Sequence, residues 1–84
     1  MKFESIIEAI RKERARHQAI FGEHEQLTHL EFLQILVEEV GEVASAQTPE
    51  DQKEELIQVA SVCFAWLENN FEEKKNEPCK NTNS

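Results

Sequence analysis

Apolar positions along the chain recur every three or four residues rather than alternating, and only two Gly and two Pro interrupt them. That periodicity predicts helices and no strands, so the chain reads as all-α. The first helix is expected from about Phe3 to Phe21, with Phe3, Ile6, Ile7 and Ile10 on one face and Gly22 as its C-terminal stop. Extending that face by three or four residues from Ile10 lands on Arg14 and His17 before it reaches Phe21. Basic groups thus occupy an inward stripe and call for a partner or a ligand. The second helix begins at "THLE", where Thr28 can cap, Glu31 can complete a capping box and Leu27 can staple onto Phe32. The third begins at "TPED": Thr48 is a cap, Pro49 suits the first helical position, and Glu50 and Asp51 complement the helix dipole. So short a connection between helices two and three predicts an antiparallel hairpin.

The third helix is apolar almost all round in "LIQVASVCFAWL", Leu56 to Leu67. Such a helix needs cover on several sides, more than two other helices of one chain provide. An oligomeric helical bundle, a homodimer or homotetramer, is therefore expected, with Phe64, Trp66 and Leu67 either at that contact or in the intrachain core. After Phe71 the composition changes to "EEKKNEPCKNTNS". This divides the chain into a helical domain over 1–71 and a polar tail over 72–84, which lacks apolar periodicity and is expected to be disordered.

Charge and length narrow the classes of function. Eighty-four residues make one small domain, and 17 acidic against 9 basic residues give a formal charge of −8, which repels the phosphate backbone of a nucleic acid polymer. No segment is long and apolar enough for a secretory or membrane-spanning helix, so a cytoplasmic protein without membrane association is expected. Cys63 and Cys79 form neither a disulfide framework nor a zinc spacing and read as free thiols, Cys63 as a small core residue.

Within this acidic chain, "ILVEEVGEVASA" places Glu38, Glu39 and Glu42 on an apolar helix, and no Lys or Arg occurs from Gln34 to Gln52. Residues three and four apart share a helix face, so Glu39 and Glu38 both neighbour Glu42. Taken alone, the helix accommodates a solvated acidic stripe. Folding the chain back about Gln47–Thr48, however, sets Glu42 opposite Glu55 and Glu39 opposite Gln58. Glu54, Glu55, Gln58 and Ser61 form the polar strip of helix three, which would line the same groove. Carboxylates converging in a partly buried groove are costly unless a hard cation coordinates them, and Mg2+ fits an oxygen-ligand site completed by substrate phosphates. The basic segment "RKERARHQ" could then contact phosphate, Arg14 through a guanidinium fork. Its alternative is pairing along the helix surface, Glu8 with Arg11 or Lys12 and Glu13 with Arg16 or His17. His24 and His29 read as surface residues in or beside a loop.

"RARHQAIFG", "EFLQILVEEVGEV" and "EELIQVASVCFAWLE" together resemble the MazG-like members of the all-α nucleotide pyrophosphohydrolase superfamily, over roughly residues 11 to 68. In that superfamily an E-x-x-E motif and an E-x-x-D motif on successive helices bind Mg2+. The resemblance maps the first onto Glu39 and Glu42 and the second onto Glu55 and Gln58, with Gln58 standing where the superfamily usually has Asp. An amide oxygen can coordinate the ion but adds no charge. The resemblance implies hydrolysis of a nucleoside triphosphate to a monophosphate and pyrophosphate. It implies that Glu39, Glu42, Glu55 and Gln58 hold the metal, that Glu38 and Glu39 are the catalytic carboxylates, and that Glu38 leads as base or second-metal ligand. Arg14 would steady the triphosphate and Gln18 would reach a base or ribose edge. The competing expectation, carried by Gln58 and the small size, is a non-catalytic nucleotide-binding or oligomeric interaction module.

Overall fold

A computed structural model of the chain describes residues 1–21 and 27–71, and these form three α-helices: α1 (Phe3–Phe21), α2 (His29–Ser45) and α3 (Pro49–Asn70). Among the described residues no strand occurs and no helix is long and apolar enough to cross a membrane. Gly22, His24, Cys79 and the 72–84 tail lie outside the described residues.

Local chemistry sets the starts of α2 and α3. The Glu31 backbone N–H donates to Thr28 Oγ1 at 3.1 Å, while the Thr28 N–H donates to Glu31 Oε1 at 2.9 Å, so the capping box is complete. At α3 the Asp51 N–H donates to Thr48 Oγ1 at 3.0 Å and Pro49 fills the first position, where its missing N–H leaves no helical bond unmade. Each cap satisfies a backbone donor that the helix itself leaves over. Only residues 46–48 separate α2 from α3.

The central helix is α3, against which both α2 and α1 pack. Near the start of α2, the buried Phe32 stacks on Trp66, with ring centroids 5.8 Å apart and planes 6° apart. Trp66 Nε1–H donates to His29 Nδ1 at 2.9 Å, the His29 ring meets Phe71 edge-on at 5.1 Å, and Asn70 Nδ2 donates to the Leu27 carbonyl at 3.0 Å. The start of α2 is thus tied to the end of α3, while Glu42 and Glu55 meet beside the turn. These contacts are consistent with two helices folded back on one another.

Trp66 packs within its own chain, because its indole N–H finds an acceptor in His29 and its face finds Phe32. His29, read as a surface residue beside a loop, is exposed and supplies that acceptor. On α1, Ile10 is buried, Ile6 and Ile7 are half-buried, and Phe3 is 71% exposed. Arg14, the basic interruption of this stripe, donates from Nη2 to Glu68 Oε1 at 2.6 Å and so ties α1 to α3. The surface pairs Glu8–Arg11, at 3.9 Å, and Glu13–Arg16, at 2.7 Å, are both present.

Candidate metal centre and adjoining cleft

One helical turn puts Glu39 and Glu42 on the same side of α2, and the short 46–48 connection brings Glu55 of α3 across to them. One carboxylate oxygen from each of the three lies within 4.8 Å of the others. Glu39 and Glu55 are half-buried and Glu42 is exposed. Burial is the largest influence raising the Glu39 pKa above the ordinary carboxylate value, followed by the charges of Glu42, Glu38 and Glu13. Glu55 is raised likewise, by burial first and then by the adjacent Glu42, with Glu39 and Glu54 adding to it. Glu39 Oε1 and Glu55 Oε1 are both shut off from solvent without a hydrogen-bond donor. An ionised carboxylate is purely an acceptor, so each of these oxygens lacks the positive partner that its charge requires.

Three carboxylates are the kind of oxygen donor set that a small hard cation takes. At the ~2.0–2.1 Å bond lengths of Mg2+, two oxygens on one ion are at most about 4.2 Å apart. The three oxygens lie within 4.8 Å of one another, a slightly wider bound than that span.

Beside the carboxylates lies a cleft of about 160 Å³, floored by α3 and flanked by α1 and α2. Glu39, Gln58 and Ser61 form its acidic and polar end, while Arg14, His17 and Gln18 approach from α1. Ser61 Oγ is also buried without a partner. The cleft therefore joins an electron-rich, donor-poor region to one that carries a guanidinium.

No protein-family model, curated protein or solved structure matches the chain. The weight of the site falls on its own geometry.

The structure brings Glu39, Glu42 and Glu55 together, and it sets Gln58, Arg14 and Gln18 on the wall of the adjoining cleft. Glu38 is exposed and outside the three-carboxylate cluster, acting on Glu39 as a neighbouring charge. Glu13 is the wall residue that the sequence reading left as a surface partner. Its side chain is only 13% exposed. The Arg16 guanidinium holds its carboxyl below the ordinary range against the opposing effect of burial, and the Gln58 amide adds to that lowering. Continuing the Ile6–Ile10 stripe by three residues instead of four reaches Glu13, so a signal existed, but a Glu–Arg pair at i, i+3 explains the residue without a cleft.

Proposed function

We propose that this protein is a Mg2+-dependent nucleoside triphosphate pyrophosphohydrolase, cleaving between the α and β phosphates to give a monophosphate and pyrophosphate. The observation that carries the reading is the convergence of Glu39, Glu42 and Glu55 within 4.8 Å at the mouth of a cleft that also holds Arg14. The resemblance of "EEVGEV" and "EELIQVA" to the MazG-like motifs names the chemistry that such a site would serve.

In this reading the three carboxylates hold the cation, and the Gln58 amide oxygen is available as a further neutral ligand. The ion supplies neutralisation of phosphate oxygens and activation of water. Glu38, or Glu39 beside it, would accept the proton of the attacking water. Arg14 Nη2 is engaged by Glu68, and its remaining N–H donors can bind a phosphate oxygen. At about 160 Å³ the cleft is smaller than the ~300–1,000 Å³ of most small-molecule sites. It would admit the base or ribose end of a nucleotide, approached by Gln18, while the phosphates lie out over the acidic mouth. The working form is a homodimer or homotetramer, and the setting is cytoplasmic.

A non-catalytic nucleotide-binding or interaction module is the second reading, favoured by Gln58 standing where a fourth carboxylate would be. Pyrophosphate release from a panel of nucleoside and deoxynucleoside triphosphates with Mg2+ separates the two. Release that falls by a hundredfold or more in Glu39→Gln and Glu42→Gln is the expected result. No release from any substrate, or release unchanged in both variants, defeats the catalytic reading.

A further inference from the structure

We propose that Glu13 is a positioning residue for the carboxylate site: it engages the amide N–H of Gln58, so that Gln58 presents its oxygen, and not a donor, toward Glu39 and Glu55. This role rests on the proposed Mg2+ site and on no assumption about which nucleotide is cleaved.

Gln58 is the ambiguous group beside the carboxylates. An amide carries an N–H2 donor and a C=O acceptor at two ends of one plane, and half a turn of the group exchanges them. The two orientations have opposite consequences for a cation. With its nitrogen toward Glu39, Gln58 would donate to a carboxylate oxygen and occupy the acceptor that a cation needs. With its oxygen there, it adds a further neutral acceptor. Gln58 follows Glu55 by one turn of α3 and lines the cleft together with Glu39, so the choice bears on the site directly.

Three observations decide the orientation. First, Glu13 stands on the α1 wall of the same cleft with its side chain only 13% exposed, and its two oxygens accept from Arg16 Nε at 3.2 Å and Arg16 Nη2 at 2.7 Å. A carboxylate gripped by a guanidinium fork is held in one direction and in its ionised form. Second, the Gln58 amide acts on that carboxylate from α3 and joins Arg16 in holding it below the ordinary range. An ionised carboxylate has no proton to give, so the amide meets it with an N–H. Third, Glu39 Oε1 and Glu55 Oε1 are both enclosed without a donor. An amide nitrogen turned toward them would have supplied one, and its engagement by Glu13 accounts for why none arrives.

An i, i+3 pair on a helix surface requires neither the burial of Glu13 nor its place on the cleft wall. Arg16, with 54% of its side chain exposed, offsets the charge of Glu13, which otherwise adds to the repulsion felt by Glu39. Arg16, Glu13 and Gln58 therefore form a series running from the solvent side of α1 to the carboxylates between α2 and α3, each member directing the next. Outer partners that orient a ligand in this way commonly account for about 10–100-fold in metal affinity.

Calorimetric titration of the full chain with Mg2+ alone, without nucleotide, tests this. Glu13→Gln and Glu13→Ala remove the same charge, but only the Gln variant keeps a carbonyl oxygen able to accept the Gln58 N–H. Expected is a Mg2+ dissociation constant about tenfold or more weaker in Glu13→Ala than in Glu13→Gln, with the helical circular dichroism signal unchanged. In a Gln58→Ala background there is no amide to orient, and the two substitutions should become equal. Equal affinities with Gln58 present overturn the proposal, as does a difference that survives Gln58→Ala. Should Glu13→Ala not fold, Glu13→Leu decides, because it fills the wall and offers no acceptor. Absence of Mg2+ binding by the wild type defeats the metal site and this role of Glu13 with it, whereas Mg2+ binding that is insensitive to the Glu13 acceptor defeats the positioning role alone.

Discussion

Replacing Glu39 by Gln should stabilise the metal-free protein and abolish most of its stabilisation by Mg2+. The substitution removes one charge from a cluster in which burial, Glu42, Glu38 and Glu13 all disfavour ionisation of Glu39. It also brings amide N–H donors beside Glu55 Oε1, which has none. A like-charge pair at this helical spacing costs ~0.2–0.5 kcal/mol when exposed, and an unsatisfied buried polar atom costs about 1–3 kcal/mol. Partial exposure of Glu39 discounts both, leaving about 1 kcal/mol. For a domain of this size that is roughly 4–8 °C in Tm. With Mg2+ at a hundred times its dissociation constant the wild type gains about 2.7 kcal/mol, and the variant, short of a charged ligand, gains little. The two melting curves therefore change order when Mg2+ is added.

The same cluster fixes a pH dependence. Glu39 and Glu55 have raised pKa values, so the folded protein keeps protons that the unfolded chain releases. Their stabilising contribution is complete below the ordinary carboxylate value of 4.5 and is lost as pH climbs through the raised values. Glu13 and Glu68, lowered by Arg16 and Arg14, act in the opposite sense and lose their contribution as pH falls below the ordinary range. Thermal melts without metal from pH 5 to 8 should show the wild type losing stability relative to Glu39→Gln as pH rises. A variant that melts below the wild type without metal, or a Mg2+ shift equal in both, would refute the account of the cluster.

Two further substitutions test the frame around the site. Thr48→Ala removes the acceptor for the Asp51 N–H and should cost about 1 kcal/mol, read as a fall of several degrees in Tm with the helical circular dichroism signal retained at low temperature. The Arg14–Glu68 pair is partly exposed, at 31% and 61% of its side chains. Breaking it should change stability by less than about 1 kcal/mol. In pyrophosphate release, Arg14→Ala should raise KM, whereas Glu68→Gln, which frees the guanidinium, should lower it; equal effects of the two would remove Arg14 from substrate binding.

How far the sequence reaches depends on how local each interaction is. Thr28 with Glu31, and Thr48 with Pro49 and Asp51, mark the helix starts because capping is settled within one turn. The meeting of Glu42 with Glu55 was also legible, since a short connection makes positions equidistant from it face one another. The placement of α1 was not. It depends on contacts such as Arg14 with Glu68, 54 residues apart, which no periodicity on either helix encodes. Glu13 went unassigned as a wall of the cleft for that reason, and Trp66 could be read as interchain until its partners His29 and Phe32 were in place.

The azimuth of α2 sets the demands on the carboxylates. One side presents Glu39 and Glu42, a second is covered by α3, and a third exposes Leu30, Leu33, Val37 and Val40. The first side carries an unfavourable term, charges and orphaned oxygens held close, where Ile10 and Phe32 are the buried hydrophobic residues among those described. So small a core leaves little stability to offset such a cluster. A cation acts on that term directly by supplying the missing positive charge.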